Sequence, residues 1–299
     1  MMGHSHNHDH NHDSDSTTNL KVVFFLNLSF TVVELIGGIF TNSVAIIADS
    51  LHDFGDSLSL GLSWFLDNYS KKERSNKFSY GYKRFSLLSA LINSTILVIG
   101  SIFVLYTSIP RFMNPETSNY KGMLLLAILG IIVNGIAVLR LKKGNSINEK
   151  VVSWHLLEDV FGWVAVLILS VVNMFVSLPI LDPLLAIVFT LIIFSNAIKN
   201  LKPIVAIFLQ STPQNIDIKN VEEKIKKLKN VDSIHDMHLW TLDSENHVLT
   251  IHVVLKGKFT SEKILSTKCE IRKLVNDMYI KHVTVEIEEK NEKCGYKNC

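Results

Sequence analysis

Cysteine is scarce in this sequence, and so is charge. Three cysteines stand among 299 residues, two of them, Cys294 and Cys299, at the extreme end with no framework of partners, which excludes a disulfide scaffold. Charged residues make up 19% and the formal net charge is only +2. Lys and Arg fall in short loops rather than along one face, so a nucleic-acid footprint is excluded as well. No G-x-x-x-x-G-K-[ST] loop is present, which argues against a nucleotide-driven pump and a nucleotide partner, and no H-E-x-x-H helix offers a metalloprotease site. The opening MMGHSHNHDHNHDSDSTTNL has no basic start, short apolar core or small-residue cleavage site. It is therefore not a secretory signal, and the first apolar helix is expected to be kept in the mature protein. Gly3 follows two methionines, so no myristoylation motif is formed.

What is abundant is apolar surface: 47% of residues are hydrophobic, and the mean hydropathy is positive, unusual for a chain in water. These residues concentrate between 20 and 198, whereas the chain after 201 is rich in Lys and Glu. Two domains in different solvents follow. A membrane-crossing helix needs about 20 mainly apolar residues, and six stretches qualify: 22–40, 44–66, 85–109, 123–139, 152–176 and 180–198. The second carries Asp49, His52, Asp53 and Asp56, and counts as a span because both its flanks are strongly apolar. Between spans two and three lie Lys71, Lys72, Arg74, Lys77, Lys83 and Arg84; between four and five lie Arg140, Lys142, Lys143 and Lys150. The alternate connections are nearly bare of positive charge, with only Arg111 and Lys121 between three and four. The positive-inside rule then puts both termini in the cytosol, and compact loops fit a multi-pass protein of a bacterial cytoplasmic membrane.

The expected division is a disordered His-rich tail over 1–19, a six-helix membrane domain over 20–204, a cytosolic domain over 205–290 and a short tail over 291–299. HSHNHDHNHD alternates His with polar residues, cannot build a core, and binds metal by composition. In the soluble part, 216–229 is an amphipathic helix, 231–242 and 247–255 are strand-like, 261–278 is helical and 282–288 alternates as a strand. That order fits a small α+β, ferredoxin-like domain. Along the last strand His282, Thr284, Glu286 and Glu288 share one face and Val283, Val285 and Ile287 the other.

Ionisable groups inside a span cost several kcal/mol unless paired, hydrated or bound to an ion. Asp49, His52, Asp53 and Asp56 lie at i, i+3, i+4 and i+7, one stripe of a helix. The fifth span repeats the chemistry with His155, Glu158 and Asp159. Both carry His four residues before Asp, His52 to Asp56 and His155 to Asp159, one turn apart and within reach of one ion. A single H-x-x-x-D is common, and a lone intramembrane His is more often hydrogen-bonded structure. Two such pairs on facing helices instead supply the two imidazoles and two carboxylates of a closed tetrahedral shell. A closed shell suits carrying a metal better than catalysis, which keeps a water position. Asn27, Glu34 and Asn134 are expected either to line the ion path or to pair helices.

The stretches NLSFTVVELIGGIFTNSVAIIADSLHDFGDS, FSYGYKRFSLLSALIN, SWHLLEDVFGW, LDPLLAIVFTLIIF and SIHDMHLWTL together resemble the zinc-transporting branch of the cation diffusion facilitators, over nearly the whole chain. The resemblance implies a proton-coupled metal exporter working as a homodimer, with His52, Asp56, His155 and Asp159 as transport ligands. It also implies a tail-domain zinc site using His235, His252, His282 and Glu288, to which Cys294 and Cys299 could lend thiolates across a dimer, with Zn2+ as substrate and as regulatory or structural ligand and no catalytic cofactor. Two departures stand out: Ser86 where many relatives have Glu, and Asp53 where they usually have an apolar residue. Manganese-type relatives favour Asp-rich pairs, so His52 points to zinc, with cadmium and cobalt as co-substrates.

The expected mechanism is alternating access around the four-ligand site, with protons displacing the metal. Two rivals use the same residues: a membrane metal sensor signalling through the tail, and an intramembrane metalloenzyme with Glu158 as base. Protein-dependent metal accumulation in everted vesicles separates transport from both.

Overall fold

In the computed structural model, residues 11–142, 147–258, 260–290, 292 and 294 are described. Six long helices come first: α1 (Asn11–Thr41), α2 (Val44–Ser70), α3 (Arg84–Met113), α4 (Tyr120–Leu141), α5 (Ile147–Phe175) and α6 (Leu181–Phe208). α7 (Ile218–Lys226), β1 (Val231–Thr241), β2 (His247–Leu255), α8 (Ser261–Asn276) and β3 (His282–Glu288) follow. α1 begins earlier than its apolar run. Positions 11–19, expected to be disordered, are helical, because a helix already nucleated by the apolar segment gains one hydrogen bond for each residue added.

Among the described residues, five helices are long and apolar enough to cross a membrane: Val22–Thr41 within α1, Arg84–Met113, Tyr120–Leu141, Val152–Phe175 within α5, and Leu181–Phe208. α2 is as long, at 27 residues, but its aspartates keep it below that apolarity. By contacts the chain forms two compact units, 1–64 with 92–200, and 65–91 with 201–299. In the first, large apolar side chains such as Phe40, Tyr106, Leu125, Phe161 and Ile192 are exposed, while Ser43, Ser57, Ser108, Asn134 and Ser170 are buried. That inversion suits a bundle whose outer surface meets lipid. Phe30, Ile46, Met123, Ala127, Trp163, Val166 and Leu169 form its largest apolar cluster.

In the second unit β1 pairs antiparallel with β2, and β2 parallel with β3, in the order β1-β2-β3. α7 and α8 contribute Val221, Ile225, Ile271 and Val275 to a core completed by Leu249, Ile251, Val253 and Val285. Asp217 and Thr260 cap these helices, each accepting a hydrogen bond from the first turn. A ferredoxin-like sheet has four strands; the described residues supply three.

Candidate metal site

α2 is held at its start by a residue of another helix. Asp182, in the first turn of α6, accepts hydrogen bonds from the Ser43 hydroxyl (2.5 Å) and from the backbone N–H groups of Val44 (2.8 Å) and Ala45 (3.4 Å). A buried carboxylate thus satisfies the orphan donors of the α2 N-terminus and complements its dipole. Further along, a Cβ at Gly55 would stand 2.7 Å from Leu97 Cδ2 of α3, and one at Gly130 of α4 would stand 2.4 Å from Trp163 Cδ2 of α5. Both glycines are there because the helices touch.

On the helices so placed, His52 and His155 face each other, ring centroids 5.7 Å apart and nearly perpendicular. Asp56 lies between them: its Oδ2 is 3.6 Å from His52 Nε2 and 2.9 Å from His155 Nε2. Asp159 Oδ2 is 3.9 Å from His155 Nε2. His52, His155 and Asp159 can each present one ligand atom with all three within 4.8 Å of one another. His52 Nδ1, His155 Nε2 and Asp159 Oδ2 are buried without the alignment of a hydrogen bond, although the Asp56 carboxylate is close. Buried polar atoms normally have partners, and ligating side chains gathered this closely with unsatisfied atoms make a candidate ion site.

The surroundings are acidic. Asp53 and Glu34 are fully buried and Asp49 is half-buried. The Glu34 carboxyl lies beside Asp53 and the Trp163 indole, yet no pair of these atoms has hydrogen-bond geometry. Asp49 approaches α5 at Gly162. Asn27 and Asn134 are buried, with neither side-chain atom of Asn134 partnered. Glu158 is exposed and does not join the group, so sharing a helix stripe with His155 does not bring it to the site.

A second cluster lies on the sheet. His235 pairs across strands with His252, their ring centroids 5.2 Å apart. His252 Nδ1 is 2.5 Å from Glu288 Oε1 and 3.6 Å from Cys294 Sγ; His235 Nε2 is 3.3 Å from Glu288 Oε2. These four residues form a group able to hold a metal, and two imidazoles, a carboxylate and a thiolate are a donor set zinc accepts. Burial works against the Glu288 charge, but hydrogen bonds from His252 and Cys294, with the two imidazoles nearby, outweigh it and hold its carboxyl below the usual range. His282 is not part of this group. It pairs with Val248 at the other end of β3 and stacks edge-on with Tyr80. Cys299 lies outside the described residues.

Asp236 is a neighbour that spacing alone does not reveal. The bulge between His235 and His238 leaves Asp236 at φ 46°, a left-handed conformation that Asp tolerates better than most residues. Its carboxylate lies 3.0 Å from His238 Nε2 and 3.6 Å from His252 Nε2. The visible signal was the H-D-x-H stretch itself.

Comparison with known proteins adds the following. The profile described as the cation efflux transmembrane domain matches residues 20–209, and the cation efflux protein cytoplasmic domain matches 213–290. A "Cadmium, cobalt and zinc/H(+)-K(+) antiporter" of Bacillus subtilis (strain 168) is 28% identical over 90% of this chain and 88% of its own length. The "Metal cation efflux system protein CzcD" of Cupriavidus metallidurans is 30% identical over 90% and 86%, and the "Zinc transporter ZitB" of Yersinia pseudotuberculosis 28% over 94% and 89%. A solved structure, the "Metal-bound C-terminal domain of the CzcD transporter from Cuprividus metallidurans", is 33% identical and covers 24% of this chain and 99% of that one, with a TM-score of 0.22.

Proposed function

The chain belongs to the cation efflux family, and on that premise we propose that it exports Zn2+, with Cd2+ and Co2+ as co-substrates, by proton antiport through His52, Asp56, His155 and Asp159. The family is one of cation transporters rather than enzymes, and relatives named as cadmium, cobalt and zinc antiporters and as zinc transporters support the metals. The observation that carries the site is the approach of the two H-x-x-x-D pairs of α2 and α5 around Asp56. Two carboxylates and two neutral imidazoles around a divalent cation make a complex of zero net charge. Neutrality matters in a bundle, where an unbalanced charge is costly.

In this reading α2 is the sixth span, with its acidic stripe turned to the interior. The protein sits in a bacterial cytoplasmic membrane with both termini and the basic loops in the cytosol; the ion enters from that side, the bundle rocks, and the ion leaves on the far side. Ligation needs a neutral imidazole and ionised carboxylates, so protons that bind the empty site compete with the metal. The inward proton gradient then drives export. The cluster of His235, His252, Glu288 and Cys294 holds zinc as a structural or regulatory ligand of a tail domain, over 205–290, that dimerises.

Uptake of 65Zn by everted vesicles tests this: a proton gradient should support protein-dependent accumulation, and collapsing it should abolish accumulation. Uptake indifferent to the gradient would remove proton exchange from the account.

A further inference from the structure

The second compact unit contains a basic cleft that neither metal site uses. Arg74 and Lys83 of the α2–α3 connection and Lys281 at the start of β3 line it, with Glu73 as its single acidic residue. None of the three cations forms an ion pair among the described residues. His247 also lines the cleft; it is 3% exposed and its Nδ1 has no hydrogen-bond partner. Gathering three like charges beside an unsatisfied buried imidazole costs free energy unless an anion completes the set.

Neighbouring side chains indicate where that anion comes from. α2 has 27 residues, about 40 Å at 1.5 Å each, more than the roughly 30 Å hydrocarbon core, so its end emerges among the headgroups. There Tyr69, Phe78, Tyr82 and Phe85 form one aromatic cluster, with ring centroids 4.7 to 5.7 Å apart, and Lys72 Nζ sits 3.7 Å above the Tyr69 ring. Gly81, at φ 78°, takes a left-handed turn, so that Tyr82 joins this cluster while Tyr80 meets His282 at the cleft. Aromatic side chains beside a cationic pocket at a span end are the composition of a lipid interface.

We propose that the cleft of Arg74, Lys83, Lys281 and His247 binds the phosphate of an anionic phospholipid headgroup. The shared chemistry is a phosphate oxyanion, which free phosphate also offers; the aromatic cluster and the span end favour the lipid. The site rests on α2 and α3 being spans but not on the identity of the transported metal, so its test is separable from zinc uptake.

Native mass spectrometry of the purified full-length protein, titrated with phosphatidylglycerol or phosphatidylcholine, measures retained lipid. Wild type should retain phosphatidylglycerol in preference to phosphatidylcholine, and the affinity should fall about fivefold for each cation removed in Arg74→Gln, Lys83→Gln and Lys281→Gln. The charge-preserving set Arg74→Lys, Lys83→Arg and Lys281→Arg should restore it, which separates lost charge from lost folding. Replacing Lys219, Lys224 and Lys229, exposed on and beside α7, by Gln removes equal charge away from the cleft and the aromatic cluster and should leave retention near wild type. An equal loss in both Gln sets would reduce the site to diffuse surface charge and overturn the proposal. Displacement of the lipid by inorganic phosphate at equal concentration would assign the cleft to free phosphate instead.

Discussion

Asp56 is the residue on which the two halves of the proposed transport site meet, since it lies close to the imidazole of its own helix and closer still to that of α5. The two histidines set the donor chemistry. Replacing His52 with Asp exchanges a borderline nitrogen donor for a hard oxygen and leaves three carboxylates around one imidazole. Zinc preference should fall and manganese uptake should rise above background. Parallel zinc and manganese uptake at a fixed proton gradient checks this, and a variant that loses both metals while still inserting would show that His52 does more than choose the metal. Spacing along a helix made this set legible, because i and i+4 fix both face and distance. In the tail it was less informative. Alternation along β3 gives the face of His282 but not its height. The register sets Glu286 opposite His252 and His282 opposite Val248, four residues or about 13 Å away, while Cys294 reaches back to His252 from a segment with no periodicity to read.

Among the elements, contacts between helices decide where the ligands stand, and these are hardest to foresee from one chain. The Asp182 carboxylate on the α2 N-terminus joins residues 138 apart in sequence, and nothing local marks that pairing beyond an acid at the head of a span. The α4–α5 contact is similar. Gly130 would read as a helix-weakening residue, yet its missing Cβ admits the fully buried Trp163 ring, one turn beyond Asp159. Gly130→Ala should therefore cost about 1–3 kcal/mol by overpacking and lower both the thermal midpoint and zinc uptake. Adding Trp163→Leu to the same chain should recover stability. A single Gly130→Ala protein with unchanged midpoint would mean that the contact is loose.

At the scale of the whole molecule, acid should loosen the chain before it strips the carboxylates. Burial, aided by Lys281 and opposed by Asp243, keeps the His247 imidazole below its ordinary pKa of 6.5. Above that value His247 is neutral whether folded or unfolded and contributes no pH dependence. As pH falls below it, the unfolded chain takes up the proton and the folded chain does not, so stability declines until the lowered folded pKa is reached. The thermal midpoint of wild type should drop more between pH 7.5 and 5.5 than that of His247→Leu; equal slopes would place His247 in water.

The central claim is that His52, Asp56, His155 and Asp159 hold one transported ion, and removing one ligand outright tests it most directly. Asp159→Ala leaves two imidazoles and one carboxylate, so a divalent ion in the site keeps an uncompensated charge in a low-dielectric bundle. In proteoliposomes at fixed proton gradient, with protein amount and insertion matched, zinc uptake by Asp159→Ala should fall to the level of empty liposomes, and the double variant Asp56→Ala/Asp159→Ala should be no worse. Wild-type zinc uptake by the Asp159→Ala protein would contradict the site.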